Sequence, residues 1–536
     1  MNNILFVTFI IDRFLSRTSM AAAATLNDAA RNVELTELGK HNGPVVTHDA
    51  PLLIELFRAR NIALPHTLVD IEEALRFRSQ ISKDQGGQKQ WNLWRMGAKF
   101  LDASVDAKTV ERLLNASSIP PDSEEQRRLT RVSAGMLRQL WVETEEELTR
   151  LGEWARFIEK EVPVQQIFHS RQLSGLKVDD SSISDFIKVS ENEKFTHFRR
   201  LSTLLGSSPM GLTAQKLVEK LSAVGADLPV ERVRTEVLED WLELAGSSSN
   251  SAAEVLAYLA AAKDVSVLRR LNPVYGRVYP LFRVHGTVTS RVLVADPGLQ
   301  QIRKRFRAVI QPDDGLELAY LDYAQFEPGI IAFLAADEVL KAAYESSDLY
   351  LALAARIGGS ETSRDMAKKI FLSYCYGMTK PRIAALLAGV SASKSDLERF
   401  ESSVSSFFER FPKVETFREE SQVKLRENGV IGTIFGNFRR RTSEGELTYK
   451  EQRWAMNHIV QGSASIIFKD ALIRLAGRFG VNSILLPMHD AVLLQFSPQE
   501  ITRVEFEKEA AAMMINAFQY YCPNAKPKVI ATHFGS

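Results

Sequence analysis

A chain of 536 residues, 45% hydrophobic and 25% charged, is too long for one core and fits roughly two to four soluble domains. A net charge of +1 names no partner, so any nucleic-acid surface must come from local basic clusters offset by acidic segments elsewhere. Cys375 and Cys522 are too few for a disulfide framework or a cysteine-rich zinc site, which favours a reducing compartment.

The first apolar run, "ILFVTFII" (4 to 11), is followed at once by Asp12 and Arg13; it is too short to cross a membrane and reads as a buried strand. The Arg- and Ala-containing stretch after it is superficially like an organellar transit peptide, a minority reading. "PVVTHDAPLLIELFRARNIAL" reads as strand then helix, and residues 123 to 162 as long charged amphipathic helix, so residues 1 to about 175 are mixed α/β. From about 178 to 275 the pattern is helical, broken at "GSSSNSAAEV", whose serines can cap the helix that follows. From Gly276, "GRVYPLFRVHGTVTSRVLV" is strand-like and "LELAYLDYAQFE" is a strand ending in a carboxylate. Helices dominate from about 338 to 428. Strand character returns in "GVIGTIFGNFRRR" and "LLPMHDAVLLQF", with a helix between them and another after.

Three constellations carry chemistry. Asp322 ends one apolar strand, with Glu327 five residues later, and Asp490 joins two further apolar runs. On neighbouring strand ends the two aspartates can hold two divalent cations, as phosphoryl transfer requires; singly, each is the ordinary turn residue of a strand end. In "ETSRDMAKKIFLSYCYGM", Thr362 or Ser363 can cap a helix and Gly377 end it, so that Arg364, Lys368, Leu372 and Tyr376 share one face. Arg and Lys one turn apart grip a polyphosphate, and an aromatic further along meets sugar or base. The bland alternative is an amphipathic helix with a solvated basic edge. Arg453, Asn457 and Gln461 recur every four residues on a third segment, suited to phosphates, sugars and minor-groove acceptors, or to an ordinary polar face. The runs "RKRFR" (303 to 307) and "RRR" (439 to 441) add phosphate affinity, or are solvated surface.

In order and spacing these segments resemble the family A DNA polymerases. "DYAQFE" is similar to that family's first palm motif, "RDMAKKIFLSYCYG" to its fingers helix and "MHDA" to its second carboxylate motif; "GTVTSRVLVADPGLQQI" and "RWAMNHIVQGSA" resemble two DNA-contact segments. The resemblance runs from about residue 178 to the C-terminus. It implies an α+β multidomain fold, a right-hand polymerase with thumb at 178–275, palm at 276–337 and 456–536, and fingers at 338–455. It further implies that Asp322, Asp490 and the carbonyl of Tyr323 hold two Mg²⁺ ions, with Mn²⁺ an alternative, and that Arg364 and Lys368 bind the incoming deoxynucleoside triphosphate, Lys368 also donating a proton to pyrophosphate. Gln325 and Leu372 belong to the nucleotide site; Tyr376 and Glu327 pack on the sugar and exclude a 2′-hydroxyl. Arg291, Arg453, Asn457, Gln461 and His489 meet primer-template DNA. No membrane partner and a cytoplasmic setting are expected.

The chain departs from the family's pattern at Ala491, usually glutamate, at Leu372, usually Phe or Tyr, and at Pro328-Gly329, usually Leu-Arg. Pro328 lacks an N–H and fits only the first turn of a helix. Residues 1–177 resemble an α/β ribonuclease H-like 3′–5′ exonuclease domain without its acidic set: Asp49 and Asp70 remain, Leu53 stands where a metal-binding aspartate is expected, and "EKEVPVQQIF" resembles the usual junction into the polymerase. The implied activity is DNA polymerisation without proofreading. The rivals are a non-catalytic DNA-binding relative, favoured by Ala491, and a polymerase for an RNA template; Glu327 disfavours an RNA product.

Overall fold

Five short strands build the N-terminal sheet in the order Arg31–Val33, Arg17–Ala24, Leu5–Asp12, Pro44–Thr47, Thr67–Asp70. The first three are antiparallel and the last two run parallel to Leu5–Asp12, each followed by a helix, giving the mixed α/β layer expected. The computed structural model describes residues 3–12, 17–115, 124–226, 250–346, 348–357, 364–388 and 393–535. Thr362 and Ser363, and the serines 247–249 of the "GSSSN" break, lie outside the described residues.

The stretch after the first strand holds a strand the sequence did not signal. Ala21 to Ala24 have strong helix propensity, yet all four are buried in Arg17–Ala24, where small side chains let the helix Glu124–Arg150 pack on the sheet. The expected long helix over 123 to 162 is instead Glu124–Arg150, a turn at Gly152, then Trp154–Arg156, a π-helical turn Phe157–Glu161 and the helix Val162–Ser174.

The helices Asp180–Leu205, Ala214–Ala223 and Asn250–Arg269 follow, the first and last packed side by side. The central sheet is antiparallel, in the order Ile484–Met488, Ala491–Phe496, Glu317–Ala324, Lys528–Thr532. Its two inner strands are flanked by the 31-residue helix Tyr449–Phe479 and by Arg503–Tyr521, which bury one continuous apolar core against it. Among the described residues, six helices between Glu338 and Asn428 and the hairpin Val430–Thr433/Gly436–Arg440 precede the long helix. Both cysteines are free and buried, and no described helix is long and apolar enough to cross a membrane.

Candidate active site

The strand Glu317–Ala324 alternates inward and outward, so Leu321 and Tyr323 enter the core while Asp322 faces the opposite side, half-buried. Its cross-strand partner is Ala491, and the two-residue turn His489-Asp490 joins Ala491–Phe496 to Ile484–Met488. His489 takes a positive φ of 62°, as the first central residue of a tight hairpin turn can require. This geometry sets Asp490 beside Asp322, and the Tyr323 N–H donates to the Asp490 carbonyl over 3.3 Å. The bland reading and the chemical one therefore coincide: the aspartate is a turn residue, and the turn delivers it to the other carboxylate.

Neither aspartate side chain has a hydrogen-bond or ion-pair partner among the described residues. Burial pushes both above the usual carboxylate range, and the Asp322 charge raises Asp490 further; Lys368 opposes the rise at both, and Arg291 opposes it at Asp490. Two desolvated acids that repel each other and lack a protein partner fit a divalent cation, with the Tyr323 carbonyl on the same strand end. Ala491 is buried in the core and supplies no third acid; among the described residues no group of three His, Cys, Asp or Glu is placed to hold a metal.

After Asp322 the chain turns at Gln325, whose φ is 52°, into the helix Phe326–Leu334. Pro328 falls in its first turn, as its missing N–H requires, and Gly329 lies so close to Tyr344 that a Cβ would stand 2.5 Å from the ring. Gln325 accepts from the Leu349 N–H at 2.8 Å, tying this turn to the helix Leu349–Ile357. Glu327 is buried and pairs with Arg291 at 2.7 Å; burial, then the Asp490 charge, raises its carboxyl. The Tyr376 hydroxyl is directed at the same carboxylate without making a hydrogen bond of ordinary geometry.

Arg364–Cys375 is helical and closes at Gly377, φ 91°, where the Met378 N–H reaches the Ser373 carbonyl and the Gly377 N–H that of Tyr374. A Cβ at Gly377 would sit 3.2 Å from the Arg453 Cγ, so the helix ends directly on the long helix. Lys368 is exposed and has no partner among the described residues. Arg364 is not free: its Nε donates to Asp348 at 2.7 Å and its guanidinium lies over the Tyr350 ring. Leu372 is half-buried against the main core.

On Tyr449–Phe479, Arg453 is exposed, and Asn457 and Gln461 are half-buried; the Asn457 Oδ1 has no hydrogen-bond partner among the described residues. Desolvation at the hairpin tip lowers His489, with the cations Arg291, Arg307 and Lys368 adding to it.

The basic runs are corrected by the structure. Arg303 pairs with Asp264 and Arg305 with Glu193 on the helices before the sheet, while Arg307 lies over Tyr320 and Phe534; only Lys304 of that run is left without a partner among the described residues. Arg439 bonds Gln85 and Ser82 and covers Trp454, Arg440 bonds Gln80, and Arg441 pairs with Glu451. These arginines are held by protein carboxylates, amides and aromatic rings that composition does not reveal, so simple solvation does not describe them.

A family model described as DNA polymerase family A matches residues 201–527. The chain belongs to that family. Among its relatives, DNA polymerase I of Caldicellulosiruptor bescii is 26% identical over 502 residues, covering 86% of this chain and 56% of that protein. The thermostable DNA polymerase I of Thermus filiformis is 30% identical over 250 residues, 42% of this chain and 29% of its own. The chain thus spans about half the length of the first relatives it matches. The POL domain of Pol1 from M. smegmatis, solved with DNA primer-template and dNTP, superposes with a TM-score of 0.78 at 19% identity, covering 100% of this chain and 96% of that one. The fold is therefore the family A polymerase fold.

Proposed function

We propose that this chain is a DNA-directed DNA polymerase that adds deoxynucleotides to a primer 3′ end and has no proofreading activity. The observation that carries the reading is the pair Asp322 and Asp490, without partners among the described residues, Asp490 in the turn next to Ala491, the cross-strand neighbour of Asp322, with Lys368 acting on both. When bound there, a divalent-cation pair such as Mg²⁺ supplies activation of the attacking hydroxyl and charge neutralisation at the leaving group. Asp322, Asp490 and the Tyr323 carbonyl would hold it. Lys368 grips the triphosphate and holds a proton for the departing pyrophosphate. Arg364 exchanges its Asp348 carboxylate for phosphate oxygens of the same charge sign. Glu327, fixed by Arg291, and Tyr376 form the wall beneath the sugar and leave no room for a 2′-hydroxyl. Arg453, Asn457, Gln461 and His489 line the primer-template side. In this reading the thumb is 178–275, the palm 276–337 and 456–536, and the fingers 338–455.

Loss of proofreading is supported by what holds the N-terminal acids: Asp49 caps Ala50–Ala59 and Asp70 caps Ile71–Ser79. Primer extension on a DNA template with Mg²⁺ or Mn²⁺ tests the proposal, with deoxynucleotides expected to be added and ribonucleotides rejected. Tight binding of primer-template without any addition would leave the non-catalytic reading standing; equal use of both nucleotide types would remove the role given to Glu327.

A further inference from the structure

Beneath the Arg291 loop lies a buried charged cluster that none of the roles above uses. Lys469 on the long helix is 0% exposed, and its Nζ donates to Glu161 at 2.5 Å and to the Ser290 hydroxyl at 2.6 Å. Glu161, 1% exposed, lies at the end of the π-helical turn Phe157–Glu161 in the N-terminal region; it also accepts from Arg156 at 2.9 Å and from Ser290 at 3.0 Å. Ser290 is fully buried and holds a φ of 62°, a conformation that costs a side-chain-bearing residue energy unless its surroundings enforce it. Its carbonyl accepts from Ser465, and His285 Nδ1 lies 3.0 Å from its hydroxyl. The loop closes on itself through Gly286 N–H to the Arg291 carbonyl and Arg291 N–H to the Thr287 hydroxyl. The next side chain, Arg291, reaches Glu327.

Three segments distant in sequence thus meet at the residue preceding Arg291. A buried ion pair is a weak source of stability but an effective device for fixing one register, because either charge left alone is strongly disfavoured. We propose that Glu161 and Lys469 are positioning residues for nucleotide selection: acting through Ser290 they fix the loop 286–291, and with it the Arg291 guanidinium on Glu327. The N-terminal region, on this view, has exchanged nuclease chemistry for a role in aligning the polymerase site. The inference rests on the polymerase reading above.

The test is the ratio of deoxy- to ribonucleotide incorporation by the full chain, a quantity independent of how much of a preparation is folded. Lys469→Met should lower that ratio by about tenfold or more, since a displacement of about 1 Å at a positioned group can cost up to about 10²-fold. Should Lys469→Met fail to fold, the neutral pair Glu161→Gln with Lys469→Met decides, with the same fall expected. Arg439→Ala, which loosens another contact of the N-terminal region without touching the loop, should leave the ratio unchanged. An unchanged ratio in the folded Lys469 or double variant overturns the inference alone, and so does an equal fall in Arg439→Ala. A wild-type chain that extends nothing overturns the polymerase reading and this one together.

Discussion

Two sheets of this molecule carry a pair of aspartates at or beside the ends of their strands, and the two pairs have opposite surroundings. In the N-terminal sheet, Asp70 accepts from the Glu72 N–H at 2.8 Å and the Ala50 N–H at 3.1 Å, and Asp49 accepts from Leu52 at 2.9 Å. Their oxygens satisfy helix termini that would otherwise be orphaned. In the central sheet, the side chains of Asp322 and Asp490 have no hydrogen-bond or ion-pair partner among the described residues. A strand-end carboxylate is thus a structural group or a candidate metal ligand according to whether a helix begins on it, and that depends on the residues that follow. Asp70 is followed directly by the helix Ile71–Ser79, whereas Asp490 is followed by a returning strand.

The comparison breaks first at the central pair. Asp322→Asn or Asp490→Asn should reduce primer extension on the order of 10³-fold or more, while primer-template binding in a gel-shift titration stays within a few-fold. Stability should not fall, because each change removes one of two like charges. Glu327→Ala comes next: the preference for deoxy- over ribonucleotides, measured by single-nucleotide incorporation, should drop by about 10²-fold.

On the other side of the comparison, Asp70→Asn should leave extension unaltered and change the pH dependence of folding. Burial raises the Asp70 carboxyl to about 8, so between about 4 and 8 the folded state keeps a proton that the unfolded chain releases. Stability therefore falls as pH rises through that window, by at most about 1.4 kcal/mol per unit, and the asparagine variant should flatten the slope in urea unfolding. The smallest effect is expected at Asp348, which caps Leu349–Ile357 and holds Arg364. Asp348→Asn keeps the cap, removes the charge competing with triphosphate, and should lower the nucleotide KM about two- to fivefold.

The reactive pair was legible because the strand alternation and the tight turn that create it are local: "LDY" and "MHDA" carry their own geometry. The fingers helix was legible for the same reason, from its four-residue repeat and Gly377. What the sequence hid is non-local. Nothing in "RRR" or "RKRFR" announces that Gln80, Ser82, Gln85, Asp264 and Glu193 will meet them, and Lys469 pairs with an acid 308 residues away. Asp348 was missed because its partner Arg364 read as free for phosphate. The strand over Ala21–Ala24 was hidden by helix-forming alanines overridden by burial between two strands, and the π-helical turn before Val162 left no periodic mark.

The central claim is that the Asp322–Asp490 pair takes divalent cations and the Asp49–Asp70 pair does not. Mn²⁺ titration followed by electron paramagnetic resonance, on the full chain with primer-template and a non-hydrolysable nucleotide, measures this directly. About two ions should bind with the wild type and with Asp70→Asn, and binding should collapse with Asp490→Asn. Retention of both ions by Asp490→Asn, or their loss in Asp70→Asn, would contradict the account.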